Sequence, residues 1–147
     1  MKIFTAGLEG SGNHWIRSVL RQHPQLEITG GDSYPMLAGP ARQYPKFTEH
    51  DVMVVIVRDM TAHRLSVIAS GYEQGNEGKF SDEESIKEIV KAIKQSPKVV
   101  FASYESALAF RQAYWDWLFQ SIGVKPIEVF TDYKDANRKY FKELPPC

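Results

Sequence analysis

Short apolar runs alternate with amphipathic stretches along this chain. Residues 3–6, Ile-Phe-Thr-Ala, run into a glycine cluster and predict a strand. From residue 13 to 22, apolar Trp15, Ile16, Val19 and Leu20 recur at helical spacing. His23-Pro24 ends that helix, because a residue before proline disfavours the α region. Residues 52–57, Val-Met-Val-Val-Ile-Val, are apolar on every face, so they predict a strand buried on both sides, as in a parallel sheet. A helix follows over 61–70, then a polar, glycine-bearing loop over 71–80. Ser81 and Glu84 form a capping box for a helix whose buried face carries Ile86, Ile89, Val90 and Ile93 and which Pro97 stops.

Further on, residues 98–103 predict a strand, and 105–122 one helix with Gly123 as its C-cap. The aromatic face of that helix, Phe110, Tyr114, Trp115, Trp117 and Leu118, reads as core. A last strand over 127–130 and a polar helix over 134–142 complete the pattern. Prolines and glycines gather in 29–49, a segment predicted to be mostly irregular. The alternation predicts one α/β domain over 1–147, a three-layer fold with a mostly parallel sheet and helices on both faces.

Composition narrows the partners. Eighteen basic residues balance eighteen acidic ones, which argues against a nucleic-acid binder because displacing counterions needs a basic excess. No 18-residue apolar stretch is present, so no membrane span is expected. The one cysteine, Cys147, permits no internal disulfide, and the start has no signal-peptide apolar run, so the expected location is cytoplasmic. His23, His50 and His63 show no metal-ligand spacing and are expected at the surface; no metal site is expected.

The chemistry concentrates where the first strand meets the first helix. Gly7-Leu8-Glu9-Gly10-Ser11-Gly12-Asn13-His14-Trp15 joins them. Backbone N–H groups of such a turn, with the unpaired amides and positive dipole end of the helix, suit a phosphate. This strand–loop–helix makes the predicted fold P-loop-like. It is not a Walker A loop, since Asn13 and His14 follow Gly12 where that motif has Lys and Ser/Thr. Arg58 stands just past the buried strand, at its carboxyl end, where open α/β sheets bind ligands. Ser66 lies eight residues on, and both side chains are able to donate to a phosphate. The alternative for Arg58 is an ion pair with Asp59 or a nearby acid.

These segments resemble the sulfotransferase family. Ser11-Gly12-Asn13-His14-Trp15-Ile16, with His23-Pro24, is similar to the family's phosphosulfate loop, Ser-Gly-Thr-Thr-Trp-Leu with a following His-Pro. Val54-Val55-Ile56-Val57-Arg58-Asp59-Met60, with Ser66, resembles the strand and Arg/Ser pair that hold the 3′-phosphate of PAPS (3′-phosphoadenosine 5′-phosphosulfate). Val99 to Glu105 resembles the strand running into Tyr-Glu-Asp, whose Tyr, here Tyr104, lies near the adenine. The resemblance implies PAPS as co-substrate, held by Gly10, Ser11, Gly12, Asn13, His14, Trp15, Arg58, Ser66 and Tyr104, and sulfuryl transfer to a hydroxyl or amine of a small-molecule or glycan acceptor.

Where the family has a basic residue before Ser-Gly, this chain has Gly10. Both family threonines are replaced, and the basic-glycine loop near the C-terminus is missing. If Lys46, Arg42 or Arg17 folds over Gly10 to replace that charge, an enzyme is expected, and if nothing basic reaches it, a binding module; His14 and Lys46 are the candidate catalytic residues. Asp32 is a further candidate base on the acceptor side. Alternatives are a non-catalytic nucleotide-binding module and a P-loop kinase.

Overall fold

The structure, a computed structural model, describes residues 1–8, 11–30, 34, 47–69 and 82–138. Four strands form one parallel sheet: β1 (Lys2–Gly7), β2 (Glu27–Thr29), β3 (Val52–Val57) and β4 (Val99–Ser103), in the order β2-β1-β3-β4. The helices are α1 (Asn13–Leu20), α2 (Met60–Ala69), α3 (Asp82–Gln95), α4 (Tyr104–Phe110) and α5 (Gln112–Ile122).

The apolar run of β3 works as its pattern requires. Val52, Val54 and Ile56 join a core with Ile16, Val19 and Leu20 of α1 and Trp115, Leu118 and Phe119 of α5. Met53 and Val55 face the other way, into a core with Phe4, Ala6 and the α3 residues Ile89 and Ala92. Successive strand residues point to opposite faces, so a strand apolar at every position needs helices on both.

Several elements differ from expectation. The predicted helix over 105–122 is two helices, broken at Arg111, whose φ of 50° is left-handed. The break lets the Tyr114 hydroxyl accept a hydrogen bond from the Ser103 amide at 2.6 Å. Residues 127–130 pair with no strand among the described residues. Gln112 instead accepts from the Val129 amide and donates to the Ile127 carbonyl, and Gln22 does the same for the amide and carbonyl of Phe130. Two glutamine side chains thus satisfy the backbone groups that a neighbouring strand would have taken.

The short edge strand β2, without apolar alternation, lies partly in the stretch predicted irregular; its register pairs Ile28 with Ile3. Residues 136–138 form a turn, and the rest of the predicted polar helix beyond them lies outside the described residues, as do Ser81 of the capping box and the loop over 71–80. On α3, Ile89 is buried, but Ile86 and Val90 are 46% and 43% exposed, so the expected apolar face is only half covered.

The three histidines expected at the surface are buried. His23 packs on Phe119 and bonds the Lys125 carbonyl. His50 stacks on Phe4 and bonds Ser96. His63 is fully enclosed in α2. Each has an aromatic body to bury, and for His23 and His50 the ring nitrogens find partners that make burial tolerable.

Candidate nucleotide site

The loop after β1 turns on Gly12, whose φ of 82° lies in the left-handed region. Ser11 closes the turn by donating its amide to the Leu8 carbonyl at 3.1 Å. The Ile16 amide reaches the Gly12 carbonyl, the first intrahelical bond of α1, so the amides before it face the loop side of the helix start. No described side chain caps this helix.

Asn13, expected to touch the ligand, turns inward instead. Its Nδ2 donates to the Gly7 and Leu8 carbonyls at 3.3 and 3.1 Å, bracing the loop from beneath. Asn13 would therefore serve a ligand through its backbone amide. Gly7 is required by the same brace: a Cβ there would stand 2.4 Å from Asn13 Oδ1. His14 is exposed on the first turn. Trp15 is half-buried, donates to Thr131 Oγ1 at 2.8 Å, and meets Tyr104 edge-on at 5.4 Å.

Two segments far apart in sequence meet above this loop. Tyr104, the first residue of α4, lays its ring against Gly12: a Cβ at Gly12 would stand 2.4 Å from Cδ2. Arg58, just past β3, places its guanidinium 4.7 Å from the centre of the same ring. The parallel register brings the carboxyl ends of β1, β3 and β4 side by side, which is why these residues converge.

Arg58 is not paired with Asp59. Asp59 caps α2 by accepting from the Ala62 amide at 2.8 Å. Arg58 donates through Nε and Nη2 to Asn137 Oδ1 at 2.8 and 2.6 Å. Asn137 in turn donates to Glu105 Oε1, which also accepts from the Asp59 amide. The Tyr104 hydroxyl accepts from the Ala136 amide and reaches the Lys134 carbonyl. Residues 134–137 thus lie over Arg58 and Tyr104. Neither the Asn137 nor the bracing Glu105 role was foreseen; Asn137 is 79 residues from its partner, and no local spacing signals it.

Ser66 is half-buried within α2, the helix that β3 feeds. Arg17 does not fold over the loop. It is 1% exposed and donates to Thr5 Oγ1 and to the Thr29 and Gly30 carbonyls, tying α1 to the β2 edge. Gly10, Lys46, Arg42, Asp32 and Cys147 lie outside the described residues. Beside Glu105 opens a groove of about 910 Å³ carrying Arg111, Lys134 and Arg138 along with Glu105 and Asp135. Among the described residues no group of three His, Cys, Asp or Glu is placed to hold a metal ion, and no helix is long and apolar enough to cross a membrane.

No family model, no curated protein and no solved structure matches this chain.

Proposed function

We propose that this chain is a small sulfotransferase-like protein with a P-loop-like fold, binding PAPS on the glycine loop and transferring its sulfuryl group to a hydroxyl or amine acceptor. One observation carries the reading. Gly12, Arg58 and Tyr104, each drawn from a separate family-like segment, meet at one end of the sheet. The site suits a 3′-phosphorylated adenine nucleotide in kind: helix-start amides without intrahelical partners for the 5′ end, an arginine for the 3′-phosphate, and aromatic rings of Trp15 and Tyr104 for a base.

PAPS supplies the sulfuryl group, which passes to the acceptor oxygen or nitrogen as the bond to the bridging phosphate oxygen breaks. The chain's own part is positioning and charge stabilisation. The α1 amides orient the phosphosulfate, Arg58 and Ser66 fix the 3′-phosphate, and Tyr104 sets the depth of the adenine. His14, exposed on the first turn, receives the acceptor's proton; Lys46 is the candidate for the missing positive charge.

A second reading, a nucleotide-binding module without catalysis, draws support from two features. Arg17 points away from the loop, and Arg58 already spends two donors on Asn137.

Calorimetry with PAP (3′-phosphoadenosine 5′-phosphate), AMP and ATP tests the site. PAP is expected to bind tightest, and Arg58→Ala to cost about 1.5–3 kcal/mol of its binding. Equal affinity for PAP and AMP would remove the 3′-phosphate assignment. Labelled PAPS with a panel of acceptors then separates the enzyme from the module.

A further inference from the structure

Strand β4 is an edge of the sheet among the described residues. The Met53 amide donates to the Lys98 carbonyl, and Met53 stands level with Val99. In a parallel ladder that phasing turns Lys98, Val100 and Ala102 toward β3, and Val99, Phe101 and Ser103 away from it. The Tyr114 hydroxyl takes the outward Ser103 amide. Among the described residues no hydrogen bond reaches the outward groups of Val99 or Phe101. Edges are commonly blunted by a charge, a proline or a bulge, and Val99–Ser103 carries none of these. Apolar side chains border this edge on both faces instead. Phe101 is 55% exposed on the α3 face, and Trp117, packed beside Tyr114, is 50% exposed on the α5 face.

We propose that two copies of the chain join at this edge, their β4 strands antiparallel about a two-fold axis at Phe101. Self-complementarity is what such an interface requires. Phe101 is the middle residue of β4. Set opposite its own copy, it exchanges both outward backbone hydrogen bonds, with the two rings on one face and the Cα atoms about 5.5 Å apart. The same axis sets α3 antiparallel to its copy on that face. Ile86 and Val90 lie on the side of α3 toward Phe101. Glu83 and Lys94 continue their stripe at three- and four-residue spacing, and all four are exposed. The stripe reads acid, apolar, apolar, base, so the antiparallel copy lines up Glu83 with Lys94 and Ile86 with Val90. That charge order complements its own reverse, which a strand from an unrelated protein has no reason to match.

Analytical ultracentrifugation of the full chain tests this, with the wild type, Phe101→Pro, Phe101→Lys, Glu83→Lys and the swap Glu83→Lys with Lys94→Glu. Circular dichroism checks each fold. Phe101→Pro removes an amide hydrogen that points away from β3, which an edge strand tolerates. Phe101→Lys adds the kind of charge that edges use against pairing. The wild type is expected to dimerise, and each Phe101 variant to weaken the dimer about tenfold or more. Glu83→Lys should weaken it about fivefold, and the swap should restore the wild-type constant to within about twofold.

A wild type that stays monomeric at concentrations on the order of 100 µM would overturn the proposal and leave the edge to a strand of another protein. A dimer indifferent to both Phe101 variants would place the interface elsewhere and overturn it as well. A swap that fails to recover what Glu83→Lys loses would overturn the two-fold arrangement. Should a Phe101 variant fail to fold, the exposed Glu83 and Lys94 substitutions still decide. The proposal stands apart from the nucleotide reading, which the calorimetry with PAP tests separately.

Discussion

The ring of Tyr104 occupies the space that a side chain on Gly12 would need, with only 2.4 Å between Cδ2 and a Cβ built there. Gly12 also holds a φ of 82°, which favours glycine. The loop is therefore glycine-dependent for two separable reasons. Gly12→Ala should destabilise the fold by about 2–4 kcal/mol, combining backbone strain with overpacking. In a Tyr104→Ala background the same substitution should cost only the strain, about 1 kcal/mol. Urea unfolding of the four proteins of this cycle measures the coupling. Equal costs in both backgrounds would mean that the ring does not crowd the loop.

Arg111 interrupts what reads as one helix, at φ 50° and ψ −125°, and its guanidinium lies 5.1 Å from the Tyr133 ring centre. Arg111→Ala and Arg111→Gly both remove that stacking, but only glycine adopts the backbone without strain. The glycine variant should be more stable than the alanine variant by about 1 kcal/mol, the reverse of their order inside a regular helix. Thermal melts of the pair decide it; alanine ranking above glycine would show that the break is unstrained.

Burial raises the Tyr114 hydroxyl above its ordinary value of 10.0, and the hydrogen bond from the Ser103 amide lowers it in part. Tyr34 is raised too, by burial and then by the nearby Glu88 carboxylate. A raised pKa means that the folded state keeps a proton the unfolded chain has lost. The stabilisation is complete below the unfolded value and is lost as pH climbs through the folded one. Stability should therefore hold to about pH 10 and fall above it. Tyr114→Phe should be less stable at neutral pH, having lost the Ser103 partner, and should show a shallower decline at high pH. Urea midpoints across the alkaline range test this; an unchanged slope in the variant would place the effect elsewhere.

His14 stands exposed at the start of α1 and has no described role in packing. His14→Ala should leave the unfolding free energy within about 0.5 kcal/mol of wild type. If the chain transfers sulfuryl groups, turnover should drop roughly 10²–10⁴-fold with PAP affinity little changed. Undiminished turnover with an identified acceptor would remove His14 from the mechanism and move attention to Lys46.

Sequence alone determined what repeats locally. The unbroken apolar run of β3 needs helices on both faces, and the glycine cluster after β1 needs a turn into α1; both follow from side-chain period and backbone freedom within a few residues. The meeting of Gly12, Arg58 and Tyr104 was legible only as three separate segments. The parallel register, which aligns the strand ends, is what joins them. Other features had no local signature at all. Arg58 pairs with Asn137 rather than with its neighbour Asp59, Arg17 is buried against the β2 edge, and Gln22 and Gln112 stand in for a strand. A polar side chain takes whichever partner folding brings within hydrogen-bond reach, because leaving it buried and unpaired costs more than any local preference supplies. That choice depends on neighbours 79 or 108 residues away, so only the tertiary structure makes it.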